Sequence, residues 1–259
     1  MNYIFTAITL LTFLSCKKGF FNQVPDDQLN IEQVFQRRNL SEEYLANVYN
    51  YIKDEAWLAA NIAPWAGLSD EGDITYDRVN FNTYPVNIGN WSPSSTYWDN
   101  DLYNSFYKGI RSASYFMQHI PQNQELLSEA NGEEVIKRWT AEARALRAWL
   151  YFNLLRTYGP FVILPEDPIA PDIDPKDTLV TMPRNTYDEC VDYIVSELDK
   201  AKADLPLHFT TQANQDYGRI TQLFCMAVKS RLLLYAASPL YNGNTDYTNF
   251  KNNDGKALV

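Results

Sequence analysis

Between residues 67 and 98 the chain gathers the side chains best suited to hold a polar ligand. Asp70, Glu71 and Asp73 form an acidic cluster, and Tyr76, Tyr84, Trp91 and Tyr97 follow, with Asn90 directly before Trp91. Several chemistries fit the acids. Two carboxylates can hydrolyse a glycosidic bond, one as general acid and the other as base or nucleophile. Carboxylates also ligate Ca²⁺, although the D-x-[DN]-x-[DN]-G loop is absent from this sequence. A carboxylate can equally accept from two vicinal sugar hydroxyls, or stand solvated on a surface turn with no ligand at all. The rings add to the sugar reading, because the C–H face of a sugar packs on an aromatic ring while a neighbouring amide or acid orients it. Asp70, Tyr76, Tyr84, Asn90 and Trp91 are therefore the candidate ligand-binding residues. Trp98, beside the next helix, reads as a core residue.

Other chemistries find little support. The two histidines, His119 and His208, lie far apart and lack Cys or His neighbours at metal-ligand spacing. The sequence carries no G-x-S-x-G elbow, Walker loop or dinucleotide fingerprint, so no catalytic residue, metal or cofactor is assigned. Arg147, Arg231 and Glu142 read as structural, orienting helices through hydrogen-bonded partners.

The ligand-binding segment is flanked by strict helical periods. From residue 133 to 158, Trp139, Ala143, Leu146, Leu150 and Leu154 form one stripe of a long helix, with Arg144, Arg147 and Arg156 off it. Gly159-Pro160 stops that helix, and 161–164 reads as a short extended segment. Ser41 is a plausible N-cap with Leu40 and Leu45 as its hydrophobic staple, opening a helix that reaches about Asp54. Leu102, Phe106, Ile110, Ala113 and Met117 mark another, ended by Pro121. Thr186 and Glu189 form a capping box, with Asn185 a competing cap, before a face from Tyr187 to Leu205 stopped by Pro206. Ile220, Phe224, Val228, Leu232 and Tyr235 mark a further helix closed by Pro239. Ala143-x-x-x-Arg147-x-x-x-Tyr151 recurs as Ala227-x-x-x-Arg231-x-x-x-Tyr235, each in the second helix of a pair. That is the packing logic of tetratricopeptide-like repeats with long insertions, or a chance likeness of two amphipathic helices.

With 259 residues, 46% of them hydrophobic, the chain can bury a sizeable core. A formal charge of −10 argues against nucleic-acid partners, which need a basic footprint. Most of the 18 Tyr, 13 Phe and 6 Trp must pack helices, since the helical stripes already use many of them. Residues 3–14 are an apolar run too short to span a bilayer and fit a signal-peptide core. The run ends in Leu14-Ser15-Cys16, like a bacterial lipobox, although no Lys or Arg precedes it and Phe13 stands where Leu is usual. Residues 1–15 are accordingly expected to be a lipoprotein signal peptide, with Cys16 the lipidated (palmitate-bearing) first residue of a tether over 16–30. Cys190 and Cys225 fall inside helices as small hydrophobes, and nothing in their spacing demands a disulfide.

The run EARALRAWLYFNLLRTYGP at 142–160 resembles the signature of the SusD/RagB family of nutrient-binding outer-membrane lipoproteins. YLANVYNY from Tyr44, Asp204-Leu205-Pro206, Gly218-Arg219-Ile220-Thr221 and Tyr241-Asn242-Gly243-Asn244 are similar as well. The resemblance implies an all-α fold of tetratricopeptide-like helix pairs over 31–259. It also implies that the loop region over 67–98 contributes to ligand contact. The implied role is non-catalytic: capture of an oligosaccharide or peptide at the cell outer membrane and delivery to a SusC-like TonB-dependent transporter, held there by the lipid anchor. Members of the family run some hundreds of residues longer, so this chain is expected to be an N-terminal portion. Two other readings remain open on the residues alone, a lipid-anchored all-α glycoside hydrolase using Asp70 and Asp73, and a helical-repeat scaffold for protein partners. The lipobox reading has a direct check. Cys16→Ala is expected to move the protein from the membrane to the soluble fraction, and unchanged fractionation would refute the anchor.

Overall fold

A computed structural model describes residues 30–53, 69, 83–90, 92, 99–209 and 216–259. Cys16, Asp70, Tyr76 and Trp91 lie outside the described residues. Contacts divide the chain into residues 1–34 and 35–259. In the first unit, Asn30 and Gln33 exchange reciprocal side-chain bonds to each other's amides, at 2.8 and 2.9 Å, at the entry to α1 (Ile31–Gln36).

In the second unit the described helices are α2 (Arg38–Tyr49), α3 (Thr83–Asn87), α4 (Asp99–His119), α5 (Gln124–Leu127), α6 (Gly132–Tyr158), α7 (Tyr187–Ala203) and α8 (Gln222–Ala236). Among the described residues strand pairing is limited to isolated bridges such as Lys251 with Ala257. No described helix is long and apolar enough to cross a membrane. Each long helix packs on the next: α4 on α6, α6 on α7 and α7 on α8, while α2 covers α4 and α6.

The central helix is α6. Its stripe of Trp139, Ala143, Leu146, Leu150 and Leu154 is buried, and so are Ala141, Ala145, Ala148 and Phe152 on other faces. Alanine at four of these positions lets neighbours approach from both sides, so the helix is enclosed around its girth. The partner helix α4 meets it at Gly109, where an added Cβ would stand 2.7 Å from Leu150 Cδ1 and 2.7 Å from Tyr51 Cγ. Only a glycine permits that approach.

Enclosure leaves Glu142 and Arg147 of α6 inside the protein and Arg144 largely so, and all three find polar partners. Glu142, fully buried, accepts from the Tyr49 hydroxyl at 2.7 Å and from Arg219 at 3.1 Å, with Arg138 3.7 Å away. Burial pushes its carboxyl upward, and Arg219, Tyr49 and Arg138 pull it back. Arg144 pairs with the buried Glu197 of α7 at 2.8 Å. Arg147, off the apolar stripe yet only 1% exposed, donates to the carbonyls of Leu164 and Pro165 at 3.1 and 3.0 Å. The Tyr151 hydroxyl accepts from the Leu164 amide at 3.0 Å, and Tyr151 stacks on Phe161. The first copy of the Ala-Arg-Tyr pattern thus straps residues 161–165 onto the helix that carries it.

Two helix starts illustrate how caps decide boundaries. Ser41 does not cap α2; it lies buried inside the helix and accepts from Asn123 Nδ2 at 2.9 Å. The cap falls four residues earlier, at Arg37, because Glu125, from a distant part of the chain, accepts from the Arg38 amide at 2.8 Å. The helix also ends at Tyr49, short of Asp54. At α7 the capping box is present as read, with Thr186 taking the Glu189 amide and Glu189 the Thr186 amide. Asn185 instead bonds the strap through Ile163. Cys190 and Cys225 are free and buried, their thiols pushed up by burial to about 12 and about 11.

Leu146→Ala and Leu150→Ala are each expected to lower stability by about 2–5 kcal/mol, since both side chains lie in the enclosed face of α6. Thermal midpoints unaltered in both variants would contradict that placement. The cap of α7 adds a pH term. Lys256, then the Thr186 amide, hold the Glu189 carboxyl down at about 2, against an ordinary 4.5. A carboxyl held low in the folded chain contributes stability that is complete above its unfolded value and is lost as pH falls through its folded one. Because Glu189 is half exposed, that contribution is about 0.5–1 kcal/mol. Denaturant melts from pH 5 to 2 should therefore fall more steeply for the native chain than for Glu189→Gln, and parallel curves would contradict the assignment.

Candidate functional site

Of the five candidate ligand residues, the structure describes two. Tyr84 sits half-buried in α3, its carbonyl taking the Ile88 amide at 3.1 Å. Asn90 is exposed just beyond that helix, with its amide bonded to the Pro85 carbonyl at 2.7 Å. They belong to one short helix and the turn that follows it.

The described residues also form a groove along α4 and the loop that follows α6. It is a cavity of about 300 Å³ between α4 and residues 164–169. Asn104, Tyr107, Lys108 and Arg111 line it from the helix, and Pro165, Asp167 and Ile169 from the loop. The loop wall is held from beneath by Arg147 and Tyr151, and from the side by Arg144, which pairs with Glu166 at 2.5 Å. Arg144 draws the Glu166 carboxyl below its ordinary value. Across the groove, Arg111 donates to the Ile169 carbonyl and the Tyr107 hydroxyl to the Val162 carbonyl at 3.3 Å. Burial, followed by the neighbouring Tyr103, raises the Tyr107 hydroxyl far above its usual range, so it stays a neutral donor.

Toward the N-terminal end of α4 a further ring stands beside the groove. Tyr103 lies 5.0 Å from Tyr107 and meets Tyr158 edge-on at 5.1 Å, yet 41% of it remains exposed. The Tyr107 ring, the Asn104 amide, the Lys108 and Arg111 cations and the Asp167 carboxylate line the groove itself, and Tyr103 stands against Tyr107 just outside that lining. Such a set stacks a sugar ring and bonds its hydroxyls with donors and acceptors of both kinds. One signal in the sequence could have found it. Tyr103, Tyr107 and Arg111 recur at i, i+4 and i+8, a second stripe beside the apolar one. Among the described residues no group of three His, Cys, Asp or Glu side chains could hold a metal ion.

Comparison with known proteins agrees with this architecture. The SusD-like family model described as "Starch-binding associating with outer membrane" matches residues 20–234. A SusD-like protein of Bacteroides ovatus is 24% identical over 244 residues, which take in 92% of this chain and 40% of that protein. The chain thus spans less than half the length of this curated relative. A SusD-like protein from Bacteroides fragilis shares its fold at a TM-score of 0.58 and 23% identity, over 82% of this chain and 38% of that one. A SusD superfamily protein from Bacteroides thetaiotaomicron does so at 0.59 and 23%, over 80% and 46%. The serial helices and their strapped loops are the tetratricopeptide-like pairs of this fold, and the chain belongs to the SusD/RagB family.

Proposed function

We propose that this chain is the carbohydrate-binding part of a non-catalytic outer-membrane protein that captures oligosaccharides and passes them to a SusC-like TonB-dependent transporter. The observation that carries the reading is the family match over residues 20–234, whose description is starch binding with association to the outer membrane. The α4 groove supports it with chemistry of the right kind. Residues 67–98 lead directly into α4, so Asp70, Tyr76, Tyr84, Asn90 and Trp91 join this reading as further ligand contacts. Anchoring through Cys16 completes it, because two acyl chains on one residue hold a protein stably to a membrane surface.

Recognition by stacking and by hydroxyl hydrogen bonds gives modest affinity per sugar ring. That suits a protein that must release what it captures. The test is electrophoresis through gels containing soluble starch or other glycans, followed by calorimetry on the oligosaccharide of whichever glycan retards the protein. Tyr103→Ala and Trp91→Ala are each expected to weaken binding about two- to tenfold, from the 0.5–1.5 kcal/mol that one ring contributes beyond its area. Unchanged affinity in both variants would place the site elsewhere, and absence of retardation by every glycan would overturn the carbohydrate reading. Co-purification of the native protein with a large barrel transporter tests the delivery step.

A further inference from the structure

A second cluster with ligand-binding chemistry lies on other elements, at the turn that precedes α8. The Arg219 amide bonds back to the Asp216 carbonyl at 3.1 Å, and Gly218, at φ +90°, supplies the left-handed corner that such a turn needs. Tyr217 occupies the remaining corner and is 81% exposed, the most exposed of the large apolar side chains among the described residues. Its base is nevertheless fixed on both sides. Asp216 pairs with Arg138 at 3.2 Å and with Arg219 at 3.0 Å. Arg219 reaches the buried Glu142 and, on α2, Glu42, while the next amide, Ile220, donates to Tyr49 at 3.0 Å.

Beside the ring is a cleft of about 250 Å³, floored by Leu45, Ala46 and Tyr49 of α2 and closed by Glu42 and Arg219. Leaving a phenol ring in water contributes nothing to the fold, and the first corner of such a turn accepts most residues. The turn and the ion pairs would stand equally well with a small side chain at 217, and only the wall of the cleft that the ring supplies would be lost. What the tyrosine adds is a ring on an anchored turn, beside a carboxylate, half exposed at 44%, whose orientation Arg219 sets.

We propose that this cleft is a separate subsite for a single sugar unit, stacked on Tyr217 with vicinal hydroxyls donating to Glu42. Its volume falls just below the range of sites that enclose whole drug-sized ligands, which limits it to about one ring. The inference rests on the carbohydrate reading above but on different residues, so the two can fail separately.

The test is saturation-transfer NMR on the full chain with the methyl glycosides of glucose, galactose and mannose, beside calorimetry with oligosaccharides. At least one glycoside is expected to receive saturation from aromatic protons. Tyr217→Ala should weaken its binding about three- to tenfold, Tyr217→Phe should retain it, and Glu42→Gln should weaken it. Tyr217 is solvent-exposed, so Tyr217→Ala keeps the fold and reads the site directly even if Glu42→Gln loosens α2. Glycoside binding that survives Tyr217→Ala undiminished overturns the subsite while the carbohydrate reading stands. Oligosaccharide binding with no glycoside binding overturns it too. Failure of glycosides and oligosaccharides alike overturns both.

Discussion

Glu142 is a carboxylate with no exposed surface, and the second unit is arranged so that it never lacks a partner. A charge of that kind is costly inside a protein unless opposite charge and donors surround it. The answering groups come from three places in the sequence: Tyr49 at the end of α2, Arg138 one turn earlier on α6, and Arg219 just before α8. Removing any one would leave the rest of the cluster poorly compensated, so the carboxylate acts as a clasp among segments that are otherwise far apart in the chain. Glu197 plays the corresponding part between α6 and α7 through Arg144, with Arg147 3.8 Å away. Apolar stripes bring these helices together, and the two buried acids specify which neighbours they take.

The same cluster explains why recognition chemistry appears where it does. Residues 164–169 and 216–219 are loops without a strand or helix of their own, yet each is tied to α6 by arginine. One loop then walls a groove and the other lifts a ring into solvent. Binding groups mounted on fixed loops lose little freedom when a ligand arrives. Charge buried for the sake of the fold thereby gives rigidity to the surface.

Much of this was legible in the sequence. The stripe of α6, the Gly159-Pro160 stop and the capping box at Thr186 all follow from local pattern, because each depends on residues a few positions apart. The start of α2 was not legible, since its capping acceptor is Glu125, 87 positions from Arg38. Arg147 was legible as a structural residue held by hydrogen bonds, but its partners, the Leu164 and Pro165 carbonyls, were not, since no local pattern names them. The tyrosines of α4 were hidden by a stronger signal: Leu102, Phe106 and Ile110 announce the core face so clearly that the polar-aromatic stripe next to it went unread. Tyr217 carried no pattern, and only its exposure sets it apart.

Gly109 has a consequence for how sequences of this family can drift. A side chain at that position would collide with both Leu150 and Tyr51, so the three positions share one fixed volume. A lineage that gains even a methyl group at 109 must lose bulk at 150 or move the ring at 51 in the same interval, or accept a strained core. Substitutions at 51, 109 and 150 should therefore appear together in an alignment of relatives, although 51 and 150 stand almost a hundred residues apart, and a large residue at 109 beside an unchanged pair would mark a member whose α4 sits farther from α6.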